Sequence, residues 1–332
     1  MYRYIKCVCC HLLLCFVGFL KIIAGLPFRH ILFPSMLLSY SYYPCCEFSM
    51  AIMFQRIHQI YRPHPALRGL INNFGIQKVE LDTSKALPFF PMPPIQEQAI
   101  FFYPQDPVHL QVPNSDKIIK LPGSTIVARN LNRVNVIMGY HHLVLKIGFE
   151  PGGLYRLFGI PVKEFGQDEE FNETAIWADP KVPFIIEQLQ EAASFDQMID
   201  IVQKWLLLKL SKLKRELPLD IVLPYILNRG NLNSISALAS QACVSIRQLE
   251  RLFQQRLGLP PQYYARLVRF TKAWVMKEKN PDMNWTKLAH HCGYFDQMHL
   301  VRDFKEFGGG APKLIERQIQ SAPCILQHEV FL

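Results

Sequence analysis

The sequence predicts a multidomain chain, mainly β in its first folded half and all-α in its last third, on three observations. Short apolar runs separated by Pro and Gly fill the stretch from about Arg62 to Glu170. From Pro183 the apolar spacing changes to three and four residues, the period of a helix. From Pro218 onward the chain repeats itself at an interval of fifty to fifty-one residues. At 332 residues, 50% hydrophobic and 19% charged, it has room for two domains with separate cores.

Residues 1–52 form a leader unlike the rest. Leu12 to Leu20 is an unbroken apolar run, with Arg3 and Lys6 ahead of it and Lys21 after it. The pattern resembles a signal peptide, and it is short for a membrane span, which needs about 20 apolar residues. Met50 and Met53 stand just before the first ordinary domain sequence, Phe54-Gln55-Arg56-Ile57-His58, so a start codon assigned too early is another explanation of the leader. Six of the nine cysteines (Cys7, Cys9, Cys10, Cys15, Cys45 and Cys46) belong to it. The others, Cys243, Cys292 and Cys324, are far apart, a spacing that supports neither a zinc site nor a disulfide framework. Neither metal nor cofactor is expected, and the body of the chain fits a reducing compartment.

Residues 53–215 read as a sensory or dimerisation domain. Strands are expected at Ala99–Tyr103, Val108–Val112, Ser124–Ala128 and His142–Ile147, spaced as in an antiparallel barrel or sandwich. Pro151-Gly152-Gly153 makes a turn, and Leu154 to Gly159 follows as a mostly apolar segment. A helix is expected over Pro183–Gln190, and a longer one begins at its cap Ser194, with Phe195, Met198, Val202, Trp205 and Leu206 on its apolar side. Consecutive Leu206, Leu207 and Leu208 point in different directions around that helix, so Leu207 or Leu208 is offered either to a second copy of the chain or to cover by the C-terminal domain or the barrel. His141 and His142, adjacent in a strand, face opposite ways and cannot hold one ion together. Asp168-Glu169-Glu170 reads as a solvated acidic run. No catalytic set emerges, so an enzyme is not expected.

Residues 216–318 carry the functional signal. The net charge of the chain is +9, and from Ile221 to Leu332 there are 14 Lys and Arg against 8 Asp and Glu. Leu238-Ala239 recurs as Leu288-Ala289 fifty residues on; Phe253, Gly258 and Pro261 recur as Phe304, Gly309 and Pro312 fifty-one residues on, which implies one inserted residue. Each copy is a short helix, a turn and a second helix. In the first copy Cys243-Val244 turns and Ser245 caps a helix that buries Leu249, Leu252, Phe253 and Leu257, leaving Arg247, Gln248, Arg251 and Gln255 outward. In the second, Cys292-Gly293 turns and Asp296 caps; Leu300, Val301, Phe304 and Phe307 face in, and Gln297, Met298, His299, Arg302 and Lys305 face out. Such helices suit the DNA major groove, where Arg pairs with guanine and Gln with adenine. Tyr263 to Lys279 reads as one linking helix, whose Arg266, Arg269 and Lys272 are candidate phosphate contacts or an ordinary solvated face. The alternative for the whole region is a helical bundle with exposed Arg and Gln.

Over Leu219 to Ile315 the sequence resembles the AraC/XylS family of bacterial transcription regulators. The resemblance rests on Ser245-x3-Leu249-x-Arg251-Leu252-Phe253-x4-Gly258-x2-Pro261, on Gly293-Tyr294-x-Asp296-Gln297-x-His299-Leu300-x-Arg302-x-Phe304, and on Arg269-Phe270-x2-Ala273. It implies two helix-turn-helix units reading successive major grooves from one DNA face, in a cytoplasmic protein at the nucleoid. The partners it implies are double-stranded DNA and RNA polymerase, with effector binding or a homodimer assigned to a cupin-like N-terminal barrel of unknown ligand. Three residues depart from the family pattern. Cys243 stands where glycine is usual, Met298 replaces a small or hydroxyl residue, and Gly310 replaces an apolar one, which should weaken the second unit's grip on DNA. Two alternatives remain: a regulator anchored to a membrane by residues 12–26, and a DNA-repair fusion. The latter needs a metal-held cysteine cluster, and none lies between Glu47 and Ala242. Residues 319–332 are read as a tail.

Overall fold

The computed structural model describes residues 53–112, 117–128, 131, 133–162, 179–229 and 234–321; the leader, the run Asp168-Glu169-Glu170 and the end of the tail lie outside them. Nine strands come first: β1 (Met53–Tyr61), β2 (Ile71–Leu81), β3 (Phe89–Met92), β4 (Ala99–Phe102), β5 (His109–Gln111), β6 (Ile118–Lys120), β7 (Ser124–Val127), β8 (Val134–Ile137) and β9 (His141–Phe149). They pair antiparallel in two sheets, β1-β2-β9-β4-β7 and β3-β8-β5-β6. Among the described residues no single closed barrel forms: β1 and β7 are edges of the larger sheet, β3 and β6 of the smaller.

The larger sheet has two unlike faces because strand side chains alternate. Phe74, Ile76, Ile100, Phe102, Ile126, Leu145 and Ile147 share one face, on which three helices pack: α1 (Gly153–Phe158), α2 (Val182–Glu191) and α3 (Phe195–Lys209). The apolar segment after Gly153 is thus helical. Trp205 of α3 meets Phe102 edge-on at 6.1 Å and donates its indole hydrogen to Asp179 at 3.0 Å. Leu206 is buried, Leu207 packs partly on that core, and Leu208 faces solvent. The other face carries His58, Gln77, Thr125, His142 and Lys146, all wholly or partly buried. Lys146 pairs there with Glu97, and burial pushes His58 and His142 down to about 4, leaving both rings neutral at pH 7. His141, one residue along, is exposed and pairs with Glu80. Among the described residues no helix is long and apolar enough to cross a membrane.

The all-α half comprises α4 (Pro218–Arg229), α5 (Ile235–Gln241), α6 (Ile246–Leu257), α7 (Pro261–Lys279), α8 (Trp285–His291), α9 (Gln297–Phe307) and α10 (Pro312–Ser321). Helix α7, at 19 residues, rises about 28 Å. It begins on Pro261, whose fixed φ suits a first helical turn. Its buried Tyr264, Phe270 and Trp274 form the centre of a core that reaches both copies of the repeat.

Glu278 lies in this core, accepting a 2.6 Å hydrogen bond from Trp274 Nε1. Burial pushes its carboxyl up from about 4.5 to about 8. Between those values the folded state holds a proton that the unfolded state has lost, so stability falls as pH rises from about 4.5 to about 8. Melting curves of the full chain and Glu278→Gln across this range should diverge, the wild type losing more with rising pH; parallel curves would show that the carboxyl does not titrate this way.

Candidate nucleic-acid interface

Both copies of the repeat build the same backbone from the same chemistry. Ser234 caps α5 by accepting from Ala237 N at 2.9 Å, and Asn284 caps α8 by accepting from Lys287 N at 2.7 Å. After each short helix the chain enters the left-handed region for one residue: Cys243 at φ 53° and Gly293 at φ 78°. The next residue turns back identically, Val244 N donating to Ala239 O at 3.0 Å and Tyr294 N to Ala289 O at 2.9 Å. The second helix of each unit then starts on its cap. Ser245 Oγ accepts from Gln248 N at 3.2 Å; Asp296 Oδ1 accepts from His299 N at 2.8 Å and lies 2.8 Å from His299 Nδ1. These hydrogen bonds hold the Asp296 carboxyl below the usual carboxylate range. Gly258 and Gly309, both at positive φ, follow the ends of α6 and α9.

Arg247, Gln248 and Arg251 are exposed on α6 beside its capped end. Gln255, near the other end, is half-buried and donates to Tyr155 Oη at 3.1 Å, which directs it toward the β-rich half. On α9, Gln297, Met298, His299, Arg302 and Lys305 are all exposed; Gln297 accepts from Thr286 Oγ1 at 2.8 Å, a tie between α8 and α9. The candidate phosphate contacts Arg266 and Arg269 are engaged by carboxylates of the chain itself. Arg266 pairs with Asp303 at 2.7 Å and Glu306 at 2.5 Å, and Arg269 lies 3.6 Å from Asp303 and 4.5 Å from the Tyr294 ring centroid. Their direct contacts therefore tie α7 to α9. Lys272 is half-buried, which pushes its ammonium down.

The far ends of α6 and α9 meet the β-rich half. Arg256, buried on α6, stacks 4.2 Å from the Tyr155 centroid, lies 3.7 Å from Asp220 and donates to Gly152 O at 3.5 Å and Arg215 O at 3.4 Å. Gln98 Nε2 donates to the Arg256 carbonyl at 3.1 Å. Arg133 donates to Gly308 O at 3.4 Å, placing a cation at the negative end of α9. The sequence reading missed Arg256, although Leu249, Leu252, Phe253 and Arg256 lie on one helical stripe. It also missed Phe295, an 86% exposed side chain just before the α9 cap.

Two exposed helices behind hydrogen-bonded turns define a pair of helix-turn-helix units. Residues 238–318 match the family model described as "Helix-turn-helix domain". Over 81 residues it is 32% identical to the HTH-type transcriptional activator RhaS of Pectobacterium atrosepticum and to that of Escherichia coli O157:H7, covering 24% of this chain and 29% of each relative. The match thus spans less than a third of those relatives. Among solved structures, an AraC-type regulator from Chromobacterium violaceum is 23% identical over 31% of this chain and 91% of its own, with a TM-score of 0.28. ToxT from Vibrio cholerae is 10% identical over 80% of this chain and 98% of its own, with a TM-score of 0.41.

The paired turns permit a direct check of backbone strain. An added Cβ at Gly293 meets nothing within 4 Å, so only its positive φ opposes a side chain. In urea denaturation Gly293→Ala should lose about 1 kcal/mol, while Cys243→Gly should gain up to about 1 kcal/mol. Equal responses of the same sign would remove the strain argument.

Proposed function

We propose that this chain is a sequence-specific regulator of transcription, in which α6 and α9 enter successive major grooves of double-stranded DNA. The supporting observation is that each helix presents exposed Arg, Gln, His or Lys beside a hydrogen-bonded cap, the end that such helices offer to base edges. Arg251 is the strongest candidate for direct readout, because it is exposed while Leu249, Leu252 and Phe253 around it are buried. Arg247 and Gln248 would share that groove; Gln297, Met298, His299, Arg302 and Lys305 would line the other.

Effector control through the β-rich half is part of the same reading. Gln77 Nε2, Thr125 Oγ1 and His142 Nδ1 are buried without a hydrogen-bond partner on the polar face of the larger sheet. Orphaned polar atoms in an interior favour a polar ligand that would satisfy them. Occupancy there would reach DNA through Gln98, Arg133 and Tyr155, whose contacts end on α6 and α9.

Fluorescence anisotropy with duplexes selected from a random-sequence pool tests the DNA reading. Arg251→Ala should weaken binding to the selected duplex by about 1–3 kcal/mol while leaving the melting temperature unchanged. Unchanged affinity would remove Arg251 from the interface. Binding should also weaken steeply, by at least about tenfold, between roughly 50 and 200 mM salt, since Lys and Arg displace phosphate counterions. A flat salt response would contradict a phosphate-borne contact.

A further inference from the structure

The repeat has one inserted residue, and the structure locates it. Leu238 and Leu288, Cys243 and Gly293, and Val244 and Tyr294 all correspond at an interval of fifty. The last pair makes the same backbone bond in each copy, from Val244 to Ala239 and from Tyr294 to Ala289. The caps Ser245 and Asp296 are already fifty-one apart. The insertion is therefore Phe295, between turn and cap, with no counterpart in the first unit. Its ring is 86% exposed and meets His299 edge-on at 6.0 Å. Met298, three residues on, is 60% exposed where the first unit has Arg247.

Two large apolar side chains in water at the leading end of a reading helix are unfavourable unless something covers them. Exposed Lys287, Arg302 and Lys305 on α8 and α9 favour a polyanion as the occupant. On a major-groove floor the apolar feature is the C5-methyl group of thymine. We infer that Phe295 and Met298 form an apolar patch that reads thymine methyl groups, so that the second unit selects T-bearing steps where the first selects by hydrogen bonding. This rests on the DNA-binding reading proposed above.

The test uses the full chain and duplexes selected from a random pool. The half-site whose preference relaxes in Arg251→Ala belongs to the first unit; the other belongs to the second. Replacing thymine by deoxyuridine removes only the methyl group. In the second half-site it should weaken wild-type binding by about fourfold per methyl covered, with no such loss in the first. Phe295→Ser combined with Met298→Ser, at exposed positions, should keep the melting temperature and abolish the deoxyuridine effect. Equal wild-type binding to both duplexes, or a deoxyuridine effect that persists in the double variant, would overturn the inference and leave DNA binding intact. A variant that binds DNA normally but fails to support transcription would assign the patch to a protein partner and overturn it too. Failure to enrich any duplex would overturn the DNA-binding reading itself.

Discussion

Helix α7 imposes the constraint on which the interface depends, because its aromatic residues bury against both reading helices. Near its start Tyr264 meets Phe253 of α6 with centroids 6.1 Å apart; further along, Phe270 lies 5.1 Å from Phe304 and 5.2 Å from Phe307 of α9. Phe253 and Phe304 are the duplicated phenylalanines, and both are fully buried. Deleting such a ring costs about 3–5 kcal/mol, comparable to much of the stability of a small domain. Arg266 and Arg269 add ion pairs to Asp303, which itself is buried on α9. Arg266 is a third exposed and one partner, Glu306, is nearly half exposed, so these contacts contribute less than the rings and chiefly fix orientation. Under the proposed function, two helices fixed to one rigid rod would enter DNA with their separation already set, which lowers the ordering cost of binding.

The caps and the contacts with the β-rich half divide each reading helix into two ends. Arg247, Gln248 and Arg251 on α6 and Gln297 and His299 on α9 are exposed near the capped starts, whereas Gln255, Arg256 and Gly308 at the other ends are held by Tyr155, Gln98 and Arg133. Arg256 shows why this contact is specific. Its guanidinium is buried among an aromatic ring, two carbonyls and the Asp220 carboxyl, and a buried charge that loses its partners is costly. A change in the β-rich half that moved Tyr155 or Gln98 would act first on α6.

Much of the all-α half was legible because a repeat is counted along the chain and caps have a local chemistry. Ser245 and Asp296 cap as their residue types suggest, and Cys243 adopts the positive φ expected of a glycine position. Tertiary facts were not legible. The spacing of Arg266 and Arg269 suits a phosphate-facing stripe, and only packing reveals Asp303 opposite them. Arg256 was hidden by its charge on an apolar stripe, and Phe295 because counting shows that an insertion exists but not where. In the β-rich half, β2 carries Asn72, Asn73 and Gly75, residue types depleted in strands, yet it pairs with β1 and β9 inside the larger sheet. The strands expected at Val108–Val112 and Ser124–Ala128 fall in different sheets, a separation that no local pattern encodes.

The central claim is that one rod presents two reading helices to one face of a duplex. Dimethyl sulfate protection on a selected duplex, which reports guanine N7 in the major groove, tests it most directly. The account predicts two clusters of protection on the same face, centred about 10 base pairs apart, one lost in Arg251→Ala and the other retained. A single cluster, or two on opposite faces, would contradict it.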